Sequence, residues 1–397
     1  MRPFPLVVPV VAVMLALASL ALASACESFG AGRADGGADG GNDGATEVGR
    51  DDGAPSCDPM QTATDVHHCG ACGHDCLGGG CAAGKCQPVV VGRTTGRILD
   101  LAVNASHVVW MVSETDFAAA TVYACPKAGC VGPPLVVKRN GVSGSLAGDG
   151  TNAYATFVFT VHEFFKIEGA AAKHVDVPSS HGAIERLQVR PEAVYSLAFY
   201  EPTLPDGGAS SYRSVYAWDG GTESLVGSYN GPNTNVTSFV VTKERVYLNS
   251  VNADELYTCL KSNCDAFTPL SIGSYTLGGL QTDDTRVYWM ASDGLLRACE
   301  AGATCNPTVL GDVTNGRALA VGPDTLFLGT TVGDLRSCDP RDCTTTSLVF
   351  HDPGFTESVQ VPPSAIGRVI AYDKTAVYWA AIDEGGQGVW RVMKLAR

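Results

Sequence analysis

Short apolar runs recur along the chain and are separated by brief polar stretches. The run VYWMA at 287–291 has counterparts VVWMV at 108, AYATF at 153, VYSLA at 194, VYLNS at 246, LFLGT at 326 and VYWAA at 377. A large apolar residue lies eight positions before the centre of each run. The pairs are Leu101/Val109, Leu146/Tyr154, Leu187/Tyr195, Phe239/Tyr247, Leu280/Tyr288, Leu319/Phe327 and Ile370/Tyr378. Seven copies spaced 39 to 52 residues apart fall in the period range of β-propeller blades.

A complete copy contains four β-prone runs. In the fifth copy these are GLQTD, VYWMA, GLLRAC and NPTVL, with short turn-forming stretches between them, which predicts a four-stranded meander. The seventh copy ends after three runs, and CQPVVVG at 86–92 resembles CNPTVLG at 305–311. We therefore predict an all-β, seven-bladed propeller over 87–397, closed by this N-terminal strand, which would remove the exposed sheet edges.

Composition fits that prediction and excludes one class of partner. The chain has 46 glycines and 21 prolines, which is typical of a protein with many turns. Its net charge of −14 repels phosphate backbones, so no nucleic-acid partner is expected. Nothing in the sequence predicts a cofactor, and we expect a monomer.

The N-terminus predicts export. Arg2 precedes a long apolar run from Leu6, and the small residues ASA at 23–25 come directly before Cys26. The stretch LASAC resembles the lipobox of bacterial lipoproteins, with Ala23 at the position where that pattern prefers Leu. This resemblance implies a signal peptide at 1–25 and a lipid on Cys26 that anchors the protein to the membrane of the cell envelope, at the outer membrane or cell surface. Ordinary cleavage and free secretion is the alternative, as is an uncleaved membrane anchor.

Cysteine counting supports lipidation. Of 15 cysteines, an odd number, eight form close pairs and six lie between Cys57 and Cys86, which leaves Cys26. The close pairs fall between the third and fourth predicted strands of their copies, where a disulfide can close a hairpin. They are Cys125/Cys130, Cys259/Cys264, Cys299/Cys305 and Cys338/Cys343.

Two segments separate Cys26 from the repeats. Residues 26–56 are rich in Gly, Ala and Asp and predict a flexible acidic linker. Residues 57–86 hold six cysteines in thirty residues, which favours three disulfides in an exported protein. These cysteines are Cys57, Cys69, Cys72, Cys76, Cys81 and Cys86. A zinc site that uses the nearby His67, His68 and His74 is the alternative. The segment also resembles cysteine-rich modules of predicted bacterial surface lipoproteins.

Three aspartates lie five positions before the aromatic centre of their copies. They are Asp149, Asp283 and Asp373, and we interpret them as turn formers that accept hydrogen bonds from their own turns.

Tyr288-Trp289, followed by Gly294 and Arg297, resembles the YWTD-type propellers, as does Tyr378-Trp379. The Thr-Asp pair of that family is absent. The resemblance implies binding of proteins or peptides without catalysis.

We therefore expect a membrane-anchored binding or scaffold protein that recognises an unidentified protein or glycan. A propeller-fold enzyme of the lactonase or lyase kind is the alternative, since this fold hosts unrelated chemistries. No catalytic or metal-binding residue is predicted, because His162, His174, His181 and His351 are scattered on predicted loops. The long polar segments 201–214 and 351–368 are the predicted binding rim.

Overall fold

The structure of the protein is a computed structural model, and it describes most of the chain from Cys57 onward. The described residues are 57–58, 60–113, 119–132, 135–140, 143–158, 163–176, 183–200, 212–231, 236–250, 255–273, 279–353, 369–383 and 388–397. The signal peptide, Cys26 and the linker at 26–56 lie outside them and stay predictions. No helix in these ranges has the length and apolar character needed to cross a membrane.

The described residues from Val89 onward form the predicted propeller of seven four-stranded antiparallel blades. Blade 1 contains β4 (Arg97–Val103), β5 (His107–Ser113), β6 (Ala119–Pro126) and β7 (Leu135–Asn140). Blade 2 contains β8 (Ser143–Gly148), β9 (Ala153–Val158), β10 (Glu163–Glu168) and β11 (Ala171–Val175). Blade 3 contains β12 (Ala183–Val189), β13 (Val194–Tyr200), β14 (Tyr212–Trp218) and β15 (Glu223–Tyr229). Blade 4 contains β16 (Val236–Val241), β17 (Arg245–Ser250), β18 (Glu255–Leu260) and β19 (Asn263–Ser271).

The remaining three blades follow the same order. Blade 5 contains β20 (Gln281–Thr282), β21 (Arg286–Met290), β22 (Leu295–Glu300) and β23 (Thr308–Asp312). Blade 6 contains β24 (Gly316–Val321), β25 (Leu326–Thr330), β26 (Asp334–Asp339) and β27 (Asp342–His351). Blade 7 contains β28 (Ile370–Tyr372), β29 (Ala376–Ile382) and β30 (Val389–Ala396), and its fourth strand is β3 (Val89–Thr95). The predicted closure is thus confirmed, because β3 pairs antiparallel with β30.

The eight-residue offset in the sequence is the register of the first two strands of a blade. In six blades the large apolar residue faces the residue that follows the aromatic position, as Leu101 faces Trp110 and Ile370 faces Trp379. Blade 5 has the same register, because Gln281 faces Tyr288. All fourteen residues of the seven pairs are buried. The repeat therefore encodes one sheet geometry seven times.

The two members of each sequence pair pack in different seams between blades. The aromatic position of one blade shares a core cluster with the large apolar residue of the next blade, as Tyr195 does with Phe239 and Tyr378 with Leu101. The same relation holds at all seven seams. Burial of apolar surface between neighbouring blades is thus what each repeat contributes to the disc.

Buried polar side chains add hydrogen bonds along the inner strands. Asp100 of blade 1 accepts from the main-chain N–H of Leu146 at 2.8 Å. In the same way Ser145 accepts from Leu187 at 3.2 Å, and Ser238 accepts from Leu280 at 2.8 Å. These bonds join neighbouring blades and satisfy main-chain donors that would otherwise be costly to bury.

Strand alternation gives the disc two distinct faces. We call the connection between the first and second strands of a blade its inner turn, and the connection between the third and fourth strands its outer hairpin. Both lie on one face, the turn face, because antiparallel strands alternate in direction. The other connections lie on the opposite face, the loop face.

Residues 57–86 form a small module that precedes β3. It contains one short hairpin, β1 (Cys81–Ala82) with β2 (Lys85–Cys86), and three disulfides. The sequence left their connectivity open, and the structure joins Cys57 to Cys72, Cys69 to Cys81 and Cys76 to Cys86. Because Val89 begins β3 at the turn face, the module meets the propeller there.

The four close cysteine pairs are disulfides of the outer hairpins in blades 1, 4, 5 and 6. They join Cys125 to Cys130, Cys259 to Cys264, Cys299 to Cys305 and Cys338 to Cys343. Each disulfide thus connects residues that are five or six positions apart, on the turn face of its blade.

The positions of these cysteines correct one detail of the sequence analysis, which placed both members of a pair between the third and fourth strands. The first cysteine of each pair lies within the third strand. Cys264 and Cys343 lie in the fourth strand. Cys130 and Cys305 lie in the connection before that strand, because the outer hairpins of blades 1 and 5 are longer than those of blades 4 and 6.

The stapled hairpins also contact the preceding blade. The N–H of Cys130 donates to the carbonyl oxygen of Val91 in β3 at 2.9 Å. Cys305 is buried in the core cluster that contains Tyr247 of blade 4. In blade 4, the main chain of Cys264 pairs with Gly227 of blade 3.

Close approach at these contacts requires glycine in the fourth strand of the preceding blade. A Cβ on Gly227 would come within 2.3 Å of the Sγ of Cys264, and one on Gly311 within 2.0 Å of the carbonyl oxygen of Cys343. A Cβ on Gly92 would come within 2.8 Å of the ring of Trp110 and within 3.1 Å of the Sγ of Cys125. The stapled hairpins therefore interlock neighbouring blades.

Candidate functional site

The central channel opens on the turn face into a cavity of about 960 Å³, which we call the mouth. Each of the seven blades contributes one residue of its first strand region to the lining. This residue directly follows the large apolar residue of the sequence pair. These residues are Ala102, Ala147, Gln188, Val240, Gln281, Ala320 and Ala371. Four alanines in this ring keep the opening wide. A cavity of this size can take a segment of a ligand, since binding pockets commonly span a few hundred to a thousand Å³.

The inner turns form the rim of the mouth. Asp283 and Asp373 each accept from two main-chain N–H groups of their own turn, at 2.8–2.9 Å. Asp149 does the same at 2.6 Å. The prediction that these three residues are turn formers is confirmed. Asn104 and Thr242 have the same role in blades 1 and 4, which the aspartate pattern did not predict because neither residue is an aspartate.

The charge balance at the mouth is opposite to that of the chain. Its lining includes four basic side chains, Lys127, Arg190, Lys374 and Arg397, against Asp149 and Asp373. The whole chain has 27 basic and 41 acidic residues. Three of these four cations form ion pairs with carboxylates of the inner turns, and Lys374 has no ion-pair partner among the described residues.

Most ion pairs around the mouth join neighbouring blades. In each of these pairs, a cation that directly follows the third strand of one blade contacts a carboxylate on the inner turn of the preceding blade. Lys127 pairs with Asp373 at 2.8 Å, Lys261 with Glu192 at 2.8 Å and Arg397 with Asp324 at 2.7 Å. We call these the seam pairs, because each lies across one seam between blades.

Asp373 is held ionised within its seam pair. Desolvation opposes its charge, but hydrogen bonds from Lys127, from Thr375 and from the turn N–H groups together lower the pKa of Asp373 to about 2. Burial, reinforced by this carboxylate, raises the pKa of Tyr378. Asp373 therefore carries a negative charge throughout the physiological pH range and belongs to the framework.

Arg190 and Asp284 form an ion pair of a different kind. Arg190 lies on the inner turn of blade 3 and Asp284 on that of blade 5, so their contact reaches past blade 4. Asp284 has a φ of 79°, in the left-handed region that residues with a Cβ avoid. The Nε of Arg190 is buried and has no hydrogen-bond partner among the described residues. This pair, which we call the spanning pair, is less well satisfied than the seam pairs.

Arg190 occupies the turn position that Asp149, Asp283 and Asp373 occupy in other blades, five residues before the aromatic centre. A cation at a position that elsewhere carries an acid was visible in the sequence. The pattern shared by the copies did not predict its role, because Arg190 departs from that pattern.

Lys394 attaches the cysteine module beside the mouth. Its side chain is buried, and its Nζ donates to the carbonyl oxygens of Leu77 in the module and of Lys127 in blade 1. Desolvation lowers the pKa of Lys394. One buried ammonium group therefore connects the module, blade 7 and the outer hairpin of blade 1.

The module also contains the cluster with metal-ligand chemistry. The sulfur atoms of Cys69, Cys76 and Cys86 lie within 4.8 Å of one another, and the Nε2 of His74 is 3.9 Å from the sulfur of Cys86. All three sulfurs are in disulfides, whereas zinc binds thiolates. His67 is instead hydrogen-bonded to Asp75, and His68 accepts a hydrogen bond from the N–H of Gly73. The geometry thus agrees with the disulfide interpretation.

The predicted binding rim lies mainly outside the described residues. Of the segment 201–214, only Tyr212–Ser214 are described, and they belong to β14 instead of a loop. Of 351–368, His351 ends β27, and Asp352 accepts from Arg391 at 2.7 Å and from the Nε1 of Trp379 at 3.1 Å. His174 and His351 pair with Asp176 and Asp334, far from one another in the chain, and His162 and His181 are not described.

Comparisons with known proteins establish the fold. No protein family and no curated protein matches the sequence. Among solved structures, the WD40 β-propeller domain of Doa1 is similar with a TM-score of 0.52 and 13% identity, over 77% of this chain and 96% of that one. The computationally designed Ika8 protein has a TM-score of 0.48 and 14% identity, over 76% of this chain and 98% of that one. At such identity, the likeness to the WD40 domain shows a β-propeller and nothing about a ligand.

Proposed function

We propose that the protein is an exported binding protein that is anchored to the membrane through Cys26 and recognises a protein or glycan of the cell envelope. The observation that carries this proposal is the mouth, a cavity of about 960 Å³ whose ring of small residues is surrounded by charged side chains. A rigid frame that presents a wide, polar-rimmed cavity suits recognition of another molecule.

The chemistry of the mouth favours binding over catalysis. A general acid or base works best with a pKa near the operating pH. The pKa of Asp373 is about 2, and this carboxylate is committed to Lys127 and to its own turn. Arg190 and Arg397 have guanidinium groups, which donate hydrogen bonds and accept none. These groups supply fixed charges, which a lactonase- or lyase-like enzyme would have to supplement with a proton-transfer group.

Site-directed photo-cross-linking in intact cells tests which face binds. A photoreactive residue replaces Lys374, which is exposed at the mouth, and in a second variant replaces Val332, which is exposed on the loop face. We expect a discrete partner to cross-link from position 374 and not from position 332. Cross-links from position 332 alone would favour the predicted rim at 201–214 and 351–368, and none from either position would contradict the proposal.

The membrane anchor has its own test. Labelled fatty acid supplied to expressing bacteria should enter the wild-type protein and be lost from a Cys26→Ser variant. Equal labelling of both proteins would contradict lipidation at Cys26. Release of the wild-type protein into the medium without label would indicate free secretion instead.

A further inference from the structure

We propose that the mouth binds a carboxylate-rich peptide segment of a protein partner, and that Arg190 exchanges Asp284 for a carboxylate of that peptide. This inference rests on the proposed function and specifies the ligand of the same cavity. In the absence of ligand, Asp284 acts as an internal substitute for the peptide carboxylate.

The cations that are not fully used by the protein indicate an anionic ligand. Three of the four basic residues in the lining of the mouth pair with carboxylates of the inner turns. Lys127 and Arg397 are used in seam pairs, whereas Lys374 is exposed and has no ion-pair partner among the described residues. Lys374 and Arg190 are therefore the two cations that an incoming anion can engage.

The position of the spanning pair allows Arg190 to exchange Asp284 for another carboxylate. It joins blades 3 and 5 instead of neighbouring blades, so breaking it opens no seam. One nitrogen of Arg190 lacks a partner among the described residues. A peptide carboxylate approaching from the channel can accept a hydrogen bond from Arg190 in place of Asp284. The planar guanidinium group of Arg190 matches the geometry of a carboxylate, so it can pair either with Asp284 or with a carboxylate of the peptide.

The aromatic content of the mouth favours a peptide over a glycan. Sugar rings are commonly bound against exposed aromatic faces. The aromatic residue in the mouth lining is Tyr372, and the guanidinium of Arg397 lies 5.9 Å from its ring centroid. The large apolar side chains that are exposed among the described residues are Met, Val and Leu. An extended acidic peptide needs cations, which the inner turns supply as Arg190 and Lys374.

Fluorescence anisotropy with a labelled octaglutamate peptide tests the inference on the full-length mature protein. We expect saturable binding that weakens as salt is added, and no binding of octaglutamine. Arg190→Gln should weaken binding at least about tenfold, the effect of losing one charged hydrogen bond, and Lys374→Gln several-fold. Asp284→Asn should tighten binding several-fold, because the internal competitor is neutralised.

Arg341→Gln is the matched control. Arg341 is exposed on the outer hairpin of blade 6, on the same face but outside the mouth. The Arg341→Gln variant should bind octaglutamate with the affinity of the wild-type protein. Thermal unfolding of each variant checks that it is folded. Equal affinity of the Arg190 and Arg341 variants, or no gain in the Asp284 variant, would overturn the exchange. Tighter binding of an oligogalacturonate than of octaglutamate would overturn the peptide assignment. Absence of octaglutamate binding, with cross-linking from position 374 intact, would refute this inference and leave the binding proposal standing.

Discussion

Opposite sides of the mouth use ion pairs for different purposes. On the side of blades 7 and 1, Lys127 and Asp373 lie across a seam, and the buried Lys394 attaches the cysteine module next to them. On the side of blades 3 to 5, Arg190 and Asp284 reach past an intervening blade. The three side chains of the first side all have partners, whereas the second side contains a buried nitrogen of Arg190 without a partner among the described residues.

This difference shows that burial alone does not reveal the role of an ion pair. The side chains of Lys127 and Asp373 are 25% and 15% exposed, and those of Arg190 and Asp284 are 12% and 24% exposed. What differs is which blades each pair joins and how its backbone is held. Seam pairs should therefore contribute to stability, whereas the spanning pair should contribute to binding.

The largest expected effect is at the apolar part of the seam between blades 7 and 1. Tyr378 is buried there with Leu101. Tyr378→Ala should lower the free energy of unfolding by about 4 kcal/mol, because it leaves a cavity in a packed core. Urea denaturation measures this. Tyr378→Phe keeps the ring and should cost much less, so equal losses for both variants would contradict the packing role.

Removal of the buried ammonium group should have the next largest effect. Lys394→Met leaves the carbonyl oxygens of Leu77 and Lys127 without this donor and should cost about 2 kcal/mol. Limited proteolysis should also cut the module between Cys57 and Cys86 faster than in wild type. Lys374→Met, at an exposed position on the same face, is the control and should change neither property.

Acid stability tests the framework role of Asp373. The pKa of Asp373 is lowered from 3.8 to about 2 in the folded protein. Such a group stabilises the fold above its unfolded pKa, and that contribution disappears as pH falls from about 4 to about 2. Asp373→Asn should therefore cost about 2 kcal/mol at pH 7 and flatten this part of the pH–stability curve. A curve for Asp373→Asn that keeps the wild-type slope between pH 4 and pH 2 would contradict the framework role of this carboxylate.

The smallest expected effect is at the spanning pair. Asp284→Gly removes the carboxylate but allows a φ of 79° at no steric cost. We expect the free energy of unfolding to change by less than about 1 kcal/mol, measured by urea denaturation. Asp373→Gly, which removes a seam carboxylate, should be clearly destabilising. A loss of several kcal/mol in the Asp284 variant would show that the spanning pair holds the disc together.

The sequence was sufficient to predict the fold because the repeat is local. The offset between Leu280 and Tyr288 reflects the pairing of two adjacent strands, and seven copies reinforce one another. The hairpin disulfides such as Cys338–Cys343 are local as well. Closure by β3 was predictable because the seventh copy has three strands, and CQPVVVG at 86–92 resembles CNPTVLG at 305–311 of the fifth copy.

The exact strand ends around those disulfides were harder to predict. Cys130 and Cys305 precede the fourth strand of their blades, whereas Cys264 and Cys343 lie inside it. The difference depends on where the fourth strand begins to pair with the third. Cysteine spacing is nearly the same in all four hairpins, so it does not contain that information.

The contacts between blades could not be predicted from local patterns either. Lys127 and Asp373 belong to the first and last blades, and only closure of the ring brings them together. Likewise, six cysteines in the module allow fifteen pairings, and local spacing does not choose among them. Arg190 was detectable as an exception at the aspartate position, but its partner on blade 5 depends on the curvature of the ring.

A crystal structure of the protein with bound octaglutamate would test most directly whether the seam pairs are framework and the spanning pair is exchangeable. We predict peptide in the mouth with a carboxylate on the guanidinium of Arg190, Asp284 released from that contact, and Lys127–Asp373 unchanged. Peptide bound elsewhere, or bound in the mouth with Arg190–Asp284 intact and the seam pair broken, would contradict this division of roles.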